Sequence, residues 1–392
     1  GLEYQYDAAL SGVPGELLVE RDPHGRTIPQ GEYQVIPAEP GSDLVLTIKT
    51  EIQFAAQQAL EQAIARTGAA GGSIVVVDPA TGEILAMANL PTFDPNDRSG
   101  ADPGAFRNRA VTDAFEPGST QKAITISASL EDGLVTPESI FEIPDSLQRG
   151  ETVFKDLTSH PRELTVTGIV AHSSNLGTIT LGEMLGAREL HRYLHAFGLG
   201  QATGIDFPGE TAGLLRAPED WCEANCVAST SIGYGVSVTT LQMAMVYAAV
   251  ANDGVWVQPH LVREVVDGRG ARVPIEPLQR RVIDADTARS MRMMLEEVVS
   301  GGTGGYAAIE GYRVGGKTGT TEKYLIEEQR YSEDDVVASF IGMAPIDDPR
   351  VVVAVVLDLP REDASGGKGA APVFAEVALA ALQQLGVPPD GE

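Results

Sequence analysis

Phe115-Glu116-Pro117-Gly118-Ser119-Thr120-Gln121-Lys122 opens an apolar segment that continues through Ala123, Ile124, Ile126, Ala128 and Leu130. Pro-Gly breaks the chain ahead of it, and the spacing that follows predicts a helix beginning near Ser119. Ser119 and Lys122 are three apart, so on a helix they share a face. A serine hydroxyl attacks only when a base takes its proton. A lysine can be that base only when burial or a neighbouring cation lowers its pKa. Alone, the octapeptide is better described as a serine at a helix start with a solvated lysine one turn on. What decides its reading is the text on either side.

Before it, residues 50–67 carry Ile52, Ala55, Ala56, Ala59, Leu60, Ala63 and Ile64 at helical spacing. Two short apolar runs, 73–78 and 83–89, flank Pro79-Ala80-Thr81-Gly82 and predict a β-hairpin. After it, residues from about 115 to 300 read as mainly helical, broken by Gly and Pro. Strand character returns at 312–314, 336–345 and 351–359, with Asp347-Asp348-Pro349 as a second hairpin turn. An apolar helix over 371–385 follows. The order is helix, two strands, a long helical insert, three strands, helix. It predicts an α+β fold: an antiparallel sheet flanked by helices, with a helical subdomain inserted between its second and third strands. Residues 1–43, rich in Gly and Pro, read as an extended lead-in.

Two further stretches carry chemistry. Ala171-His172-Ser173-Ser174-Asn175 interrupts two helical runs and sets a hydroxyl and an amide on one loop, able to pass a proton and bind a peptide amide. A polar turn or helix cap has the same composition. Gly315-Gly316-Lys317-Thr318-Gly319-Thr320 places a cation and two hydroxyls on backbone that glycine leaves accessible. Such a strand can bind a carboxylate and present an N–H to an oxyanion. The same text satisfies the phosphate-loop pattern from Gly311 to Thr318, with Asp358 after an apolar run as its magnesium partner. That rival, a nucleotide hydrolase, needs a helix opening at Lys317. Ser365-Gly366-Gly367-Lys368 repeats the serine–lysine spacing in a glycine loop, where no helix is expected to hold the pair in register.

Composition narrows the classes. The 392 residues hold 28 Lys+Arg against 55 Asp+Glu, a net charge of −27. A surface that acidic repels nucleic acid and anionic lipid. Cys222 and Cys226, four apart, fit free thiols or a local disulfide, and no other cysteine completes a zinc set. His191 and His195 are four apart without a following Glu, which argues for surface histidines rather than a metal site. No stretch is apolar and long enough to span a bilayer, and no signal peptide opens the chain.

Order and spacing turn the three motifs into one signal. Ser173 lies 54 residues after Ser119, and Lys317 lies 198 after it. Together they resemble the Ser-x-x-Lys, Ser-x-Asn and Lys-Thr-Gly set of penicillin-binding proteins and serine β-lactamases. The stretches 82–87, 91–96, 207–210, 233–235 and 370–374 resemble class B penicillin-binding proteins, the monofunctional peptidoglycan transpeptidases. The likeness covers nearly the whole chain. It implies that residues 1–43 are the end of a pedestal and linker, with a transpeptidase domain over 44–392. Most of the pedestal and a membrane helix would lie ahead of Gly1, and the protein would work at the extracytoplasmic face of a bacterial membrane.

By the same resemblance Ser119 attacks the penultimate D-alanine of a peptidoglycan stem peptide, and an amine of a second stem peptide takes the acyl group. Lys122 is the base, and Ser173 relays a proton beside Lys317. Asn175 binds the peptide backbone. Thr318, Gly319 and Thr320 form the strand that holds the terminal carboxylate, and the N–H groups of Ser119 and Thr320 form the oxyanion hole. β-Lactams mimic the substrate and leave Ser119 acylated. No metal or organic cofactor is implied. The implied partners are membrane proteins of the division or elongation machinery, including a glycosyltransferase; the sequence does not choose between the two machineries. The nearer rival is a β-lactamase, with Glu210 as a water-activating base, but Glu210 sits in Pro208-Gly209-Glu210, text typical of the transpeptidases and read as structural.

Overall fold

All seven residues of the strand Gly71–Val77 are buried, as expected of an apolar strand covered on both faces. The structure, a computed structural model, describes residues 1–325 and 328–391, without the side chain of Glu333. Its chain divides into two units.

The larger unit holds residues Ile48–Ile205, Gly209–Pro259 and Pro277–Glu392. Helix α1 (Thr50–Thr67) buries Ile52, Ala56, Ala59, Leu60 and Ala63 and ends at Gly68, whose φ of 65° and N–H bond to Ile64 O close the last turn. Strands β1 (Gly71–Val77) and β2 (Ile84–Leu90) form the expected hairpin. After the insert come β3 (Gly315–Leu325), β4 (Arg330–Ala344) and β5 (Val351–Asp358). They complete a five-stranded antiparallel sheet in the order β3-β4-β5-β1-β2. The chain closes on a helix over Ala371–Gln384, which shares an apolar core with α1: Leu60, Val353, Val355, Phe374, Val377 and Ala381. Another helix, Thr240–Ala251, is buried along its whole length and packs on β1, β4 and β5. A capping box between Thr239 and Gln242 starts it.

Two expectations need correction. Residues 312–314 precede the strand rather than form it, because β3 starts at Gly315 and carries the whole Lys317–Thr320 motif within its length. The strand is eleven residues long because it is paired with β4 from Gly315↔Met343 to Leu325↔Arg330, a long-range partner that the glycine-rich local text does not announce. Residues 1–43 are not simply an extended lead-in: they hold short helices at Leu2–Gln5 and Asp7–Leu10 and a hairpin of Glu16–Val19 with Tyr33–Ile36. The insert, besides its helices, contains small antiparallel pairs such as Ile140–Glu142 with Glu163–Thr165.

The smaller unit comprises Gly1–Thr47, Asp206–Pro208 and His260–Glu276. Asp43–Leu46, Val262–Val266 and Arg272–Pro274 form a three-stranded sheet in it. The Asp206 carboxylate accepts Leu261 N–H at 2.7 Å, Val262 N–H at 2.9 Å and Tyr6 O–H at 3.0 Å.

Candidate active site

Ser119 sits in a single 3₁₀ turn, Gly118–Gln121, that runs into helix α2 (Lys122–Glu131). The turn is pinned from behind. Thr120 Oγ1 donates to Pro117 O at 2.7 Å, Tyr247 O–H to Thr120 O at 2.8 Å, Thr125 Oγ1 to Ser231 O at 2.8 Å, and Gln121 Nε2 to Thr230 O. Gly118 N–H donates to Gly233 O at 3.1 Å. Gly233 has a φ of +89°, and a Cβ there would lie 2.2 Å from Gly118 O. Gly233→Ala is therefore expected to cost at least about 2 kcal/mol through backbone strain and overpacking. It should also displace the turn, so that thermal midpoint and penicillin acylation fall together.

The second group comes from the junction of helix α3 (Val166–Ala171) and helix α4 (Asn175–Ala196). Ser173 adopts a φ of 56°, rare for a residue with a side chain. Ser174 caps α4 by accepting Gly177 N–H at 2.9 Å. Asp156, its side chain 9% exposed, braces the junction. Its carboxylate accepts Ser174 Oγ–H at 2.8 Å, Leu176 N–H at 3.1 Å and Asn175 N–H, and meets His160 Nε2 at 2.7 Å.

The third group lies on β3, an edge strand of the sheet. Gly319 has a packing reason: a Cβ there would meet Ser339 Oγ at 2.4 Å and Thr120 Cγ2 at 3.0 Å, so glycine lets β3 lie against the serine turn. Thr318 Oγ1 is 2.9 Å from Thr303 Oγ1, and Thr320 Oγ1 accepts Gly366 N–H at 3.0 Å.

These groups converge. Lys122 Nζ donates to Ser173 O at 2.6 Å and to Asn175 Oδ1 at 2.7 Å, and lies 3.4 Å from Ser173 Oγ. Lys317 Nζ donates to the same Ser173 Oγ at 2.8 Å and to Thr318 O at 3.1 Å. Ser173 Oγ thus bridges two lysines that are each 1% exposed. Burial disfavours both ammonium forms. Lys122 is held well below its ordinary pKa, by desolvation first and by the charge of Lys317 second, with Asp156 opposing. Desolvation brings Lys317 down to about 7. Ser119, Ser173, Thr318 and Thr320 line one cleft of about 380 Å³, with Thr303 and Tyr306 on its wall.

Ser365 and Lys368 also line this cleft, on a single wide turn that hydrogen-bonds Thr320. They were expected in an irregular loop; the turn forms because Ser365 caps it, accepting Lys368 N–H at 3.3 Å. The phosphate-loop reading fails, since Lys317 lies inside a strand and no helix opens there. Glu210 accepts Thr203 N–H at 2.8 Å and Gly204 N–H at 3.1 Å, bracing its own turn. Cys222 and Cys226 form a disulfide. His191 and His195 stack at 6.2 Å beside Trp221, and among the described residues no group of His, Cys, Asp or Glu is placed to hold a metal. No helix among the described residues is long and apolar enough to cross a membrane.

An antiparallel sheet whose edge strand faces a Ser-x-x-Lys turn across a helical insert is the serine acyltransferase fold. Residues 72–379 match the model of the penicillin binding protein transpeptidase domain. The chain is 38% identical over 400 residues to penicillin-binding protein PbpB of Mycolicibacterium smegmatis, covering 99% of this chain and 62% of that protein. It is also 38% identical to the probable peptidoglycan D,D-transpeptidase PenA of Neisseria flavescens, covering 99% and 94%. Among solved structures, penicillin-binding protein 3 of Mycobacterium tuberculosis, complexed with ampicillin, superposes with a TM-score of 0.90 at 38% identity, covering 100% of this chain and 85% of that one. The chain belongs to the class B penicillin-binding proteins. It spans about three fifths of the length of the two mycobacterial PbpB proteins, 62% and 59%.

Proposed function

We propose that this protein is a peptidoglycan D,D-transpeptidase that works through a Ser119 acyl-enzyme and is inactivated by β-lactams. The observation that carries the reading is the sharing of Ser173 Oγ by the buried amines of Lys122 and Lys317, in the cleft that Ser119 lines. A neutral amine has two N–H groups and one lone pair. Ser173 O and Asn175 Oδ1 take both hydrogens of Lys122, which leaves the lone pair for a hydroxyl proton. Lys122 is the base for Ser119, and Ser173, polarised by Lys317, returns a proton to the leaving D-alanine amine. Alternate N–H groups of an edge strand have no strand partner. This supports an oxyanion hole built from the N–H of Thr320 and that of Ser119. Thr318 and Thr320 hold the terminal carboxylate on a strand that Gly319 keeps close to the turn, and Asn175 binds the peptide backbone. The relatives named as peptidoglycan D,D-transpeptidases and the ampicillin complex of the mycobacterial protein support the same assignment.

The experiment is incubation with a fluorescent penicillin followed by intact-mass and peptide mapping. One adduct is expected, on Ser119. An adduct on Ser365, or none, overturns the reading. Because the Glu210 carboxylate is occupied in its own turn, the adduct should be long-lived, and Glu210→Gln should leave its lifetime within about twofold of wild type. Rapid nitrocefin turnover that Glu210→Gln abolishes would make the protein a β-lactamase instead.

The resemblance to class B penicillin-binding proteins supports placing the enzyme on the extracytoplasmic face of the membrane, with residues 1–43 as the end of a pedestal and linker ahead of the domain over 44–392. Its partners there would be division or elongation proteins, including a glycosyltransferase. Co-purification from bacterial membranes tests this.

A further inference from the structure

Among the described residues, the wall of the cleft that Ser119 lines carries no aspartate or glutamate and one lysine, Lys368. The chain as a whole has 55 acidic residues against 28 Lys+Arg. Lys368 is exposed to solvent. It has no acidic partner among the described residues, since Asp363, the nearest acid ahead of it in sequence, is paired with Arg66 at 3.1 Å. The two buried lysines behind the cleft are already claimed, Lys122 by Ser173 O and Asn175 Oδ1 and Lys317 by Ser173 Oγ and Thr318 O. Lys122 must be neutral to act as a base, so neither it nor a lysine brought down to about 7 by desolvation supplies a dependable charge to a ligand. The turn that carries Lys368 is fixed in place. Gly366 N–H donates to Thr320 Oγ1 at 3.0 Å, and Arg66 donates to Gly369 O at 3.1 Å. A Cβ at Gly367 would lie 3.8 Å from Thr318 Cγ2. The two residues ahead of Lys368 thus lie against the two threonines to which the donor's terminal carboxylate is assigned above.

The chemistry says which anion meets this ammonium. On the transpeptidase reading, acylation expels D-alanine, an amine whose carbon bears a carboxylate. Transfer to the second stem peptide runs over the same atoms in reverse. The attacking nitrogen forms a C–N bond to the ester carbon as the C–Oγ bond of Ser119 breaks, and the proton the nitrogen gives up returns to Ser119 Oγ. The acceptor nitrogen must therefore stand where the leaving nitrogen stood, and whatever its carbon carries falls beside Thr318, Thr320 and Lys368. Threonine hydroxyls accommodate a carboxylate or a neutral amide alike, whereas an ammonium without a counter-ion favours the carboxylate. We infer that Lys368 selects acceptors whose attacking amine is borne on a carbon that also bears a free carboxylate, over acceptors in which that carboxylate is amidated or absent.

The inference rests on the transpeptidase reading but fails separately from it. An N-acyl-D-alanyl thioester loads Ser119, and the acyl-enzyme is offered D-alanine and D-alaninamide together, with the two products counted per free amine. Both acceptors compete for one acyl-enzyme, so their ratio cancels any damage to acylation. Wild type is expected to favour D-alanine about fivefold, the upper end for an ion pair that solvent reaches, and less as salt rises. Lys368→Gln should bring the ratio within about twofold of one, Lys368→Glu should carry it below one, and Lys368→Arg should keep the preference. A ratio near one in wild type overturns the inference. So does a ratio that Lys368→Gln and Lys368→Glu leave unchanged, which would assign the carboxylate to the threonines alone. In both cases penicillin still labels Ser119 and the transpeptidase reading stands. If neither the thioester nor penicillin acylates Ser119, that reading falls, and the selection by Lys368 with it.

Discussion

Lys122→Arg should acylate with penicillin about 10²–10⁴-fold more slowly than wild type, the range that a positioned general base contributes. Charge is retained, but a guanidinium does not give up its proton in a protein. The sign of the pH dependence follows from the same site. Burial and the neighbouring Lys317 hold Lys122 well below its ordinary value. The neutral amine is the active form, so acylation should rise with pH and level off at an apparent pKa well below that of a free lysine, about 10.4. Lys317→Ala removes the repulsion between the two cations, and the rising limb should move to higher pH even as the plateau falls. Stopped-flow or gel-based acylation rates between pH 6 and 10 measure both effects. A near-wild-type rate in Lys122→Arg would reduce Lys122 to a fixed charge, and a rising limb unmoved by Lys317→Ala would remove the coupling.

The parts of this site legible in the sequence were those with local grammar. Ser119 and Lys122 are one helical turn apart. Ser173 and Asn175 break two helices, and Lys317 to Thr320 stand in a glycine-punctuated run. Helix α1 and the β1–β2 hairpin were legible because their apolar periods and turn residues act over short range. Strand β3 reads as a short run at 312–314, ahead of its true start at Gly315, because its pairing partner, not its composition, makes it a strand. Glu116, Asp156, Thr303 and Tyr331 were missed for the same reason at side-chain scale. Glu116 works through Gly235 and Tyr331, and Thr303 through Thr318; their neighbours in sequence carry no sign of it. The one available signal was Glu116 itself, an acid set between Phe115 and Pro117 directly ahead of the serine turn.

Asp156 gives the other large expected effect, and it acts on stability and chemistry together. Its carboxylate, nearly buried, is the acceptor for Ser174 Oγ–H, Asn175 N–H and Leu176 N–H and the partner of His160. Two of these donors are backbone groups of the first turn of α4, which has no intrahelical acceptor for them. Alanine leaves several buried donors unpaired at about 1–3 kcal/mol each, and removes a charge that complements the helix dipole at about 0.3–1 kcal/mol. Partial rehydration recovers some of this, so Asp156→Ala should cost about 3–5 kcal/mol. Asparagine keeps one acceptor oxygen and turns an amide N–H₂ toward the remaining donors, so Asp156→Asn should cost less but not nothing. The junction that Asp156 braces also supplies both acceptors of Lys122, Ser173 O and Asn175 Oδ1. A loosened junction no longer holds the lone pair of Lys122 in place, and acylation by penicillin should fall at least about tenfold at temperatures where the variant is still folded. Denaturant titration read beside the acylation rate separates the two effects. If Asp156→Ala melted like wild type and acylated at the wild-type rate, the junction would be held by its backbone alone, and the φ of 56° at Ser173 would need no carboxylate to maintain it.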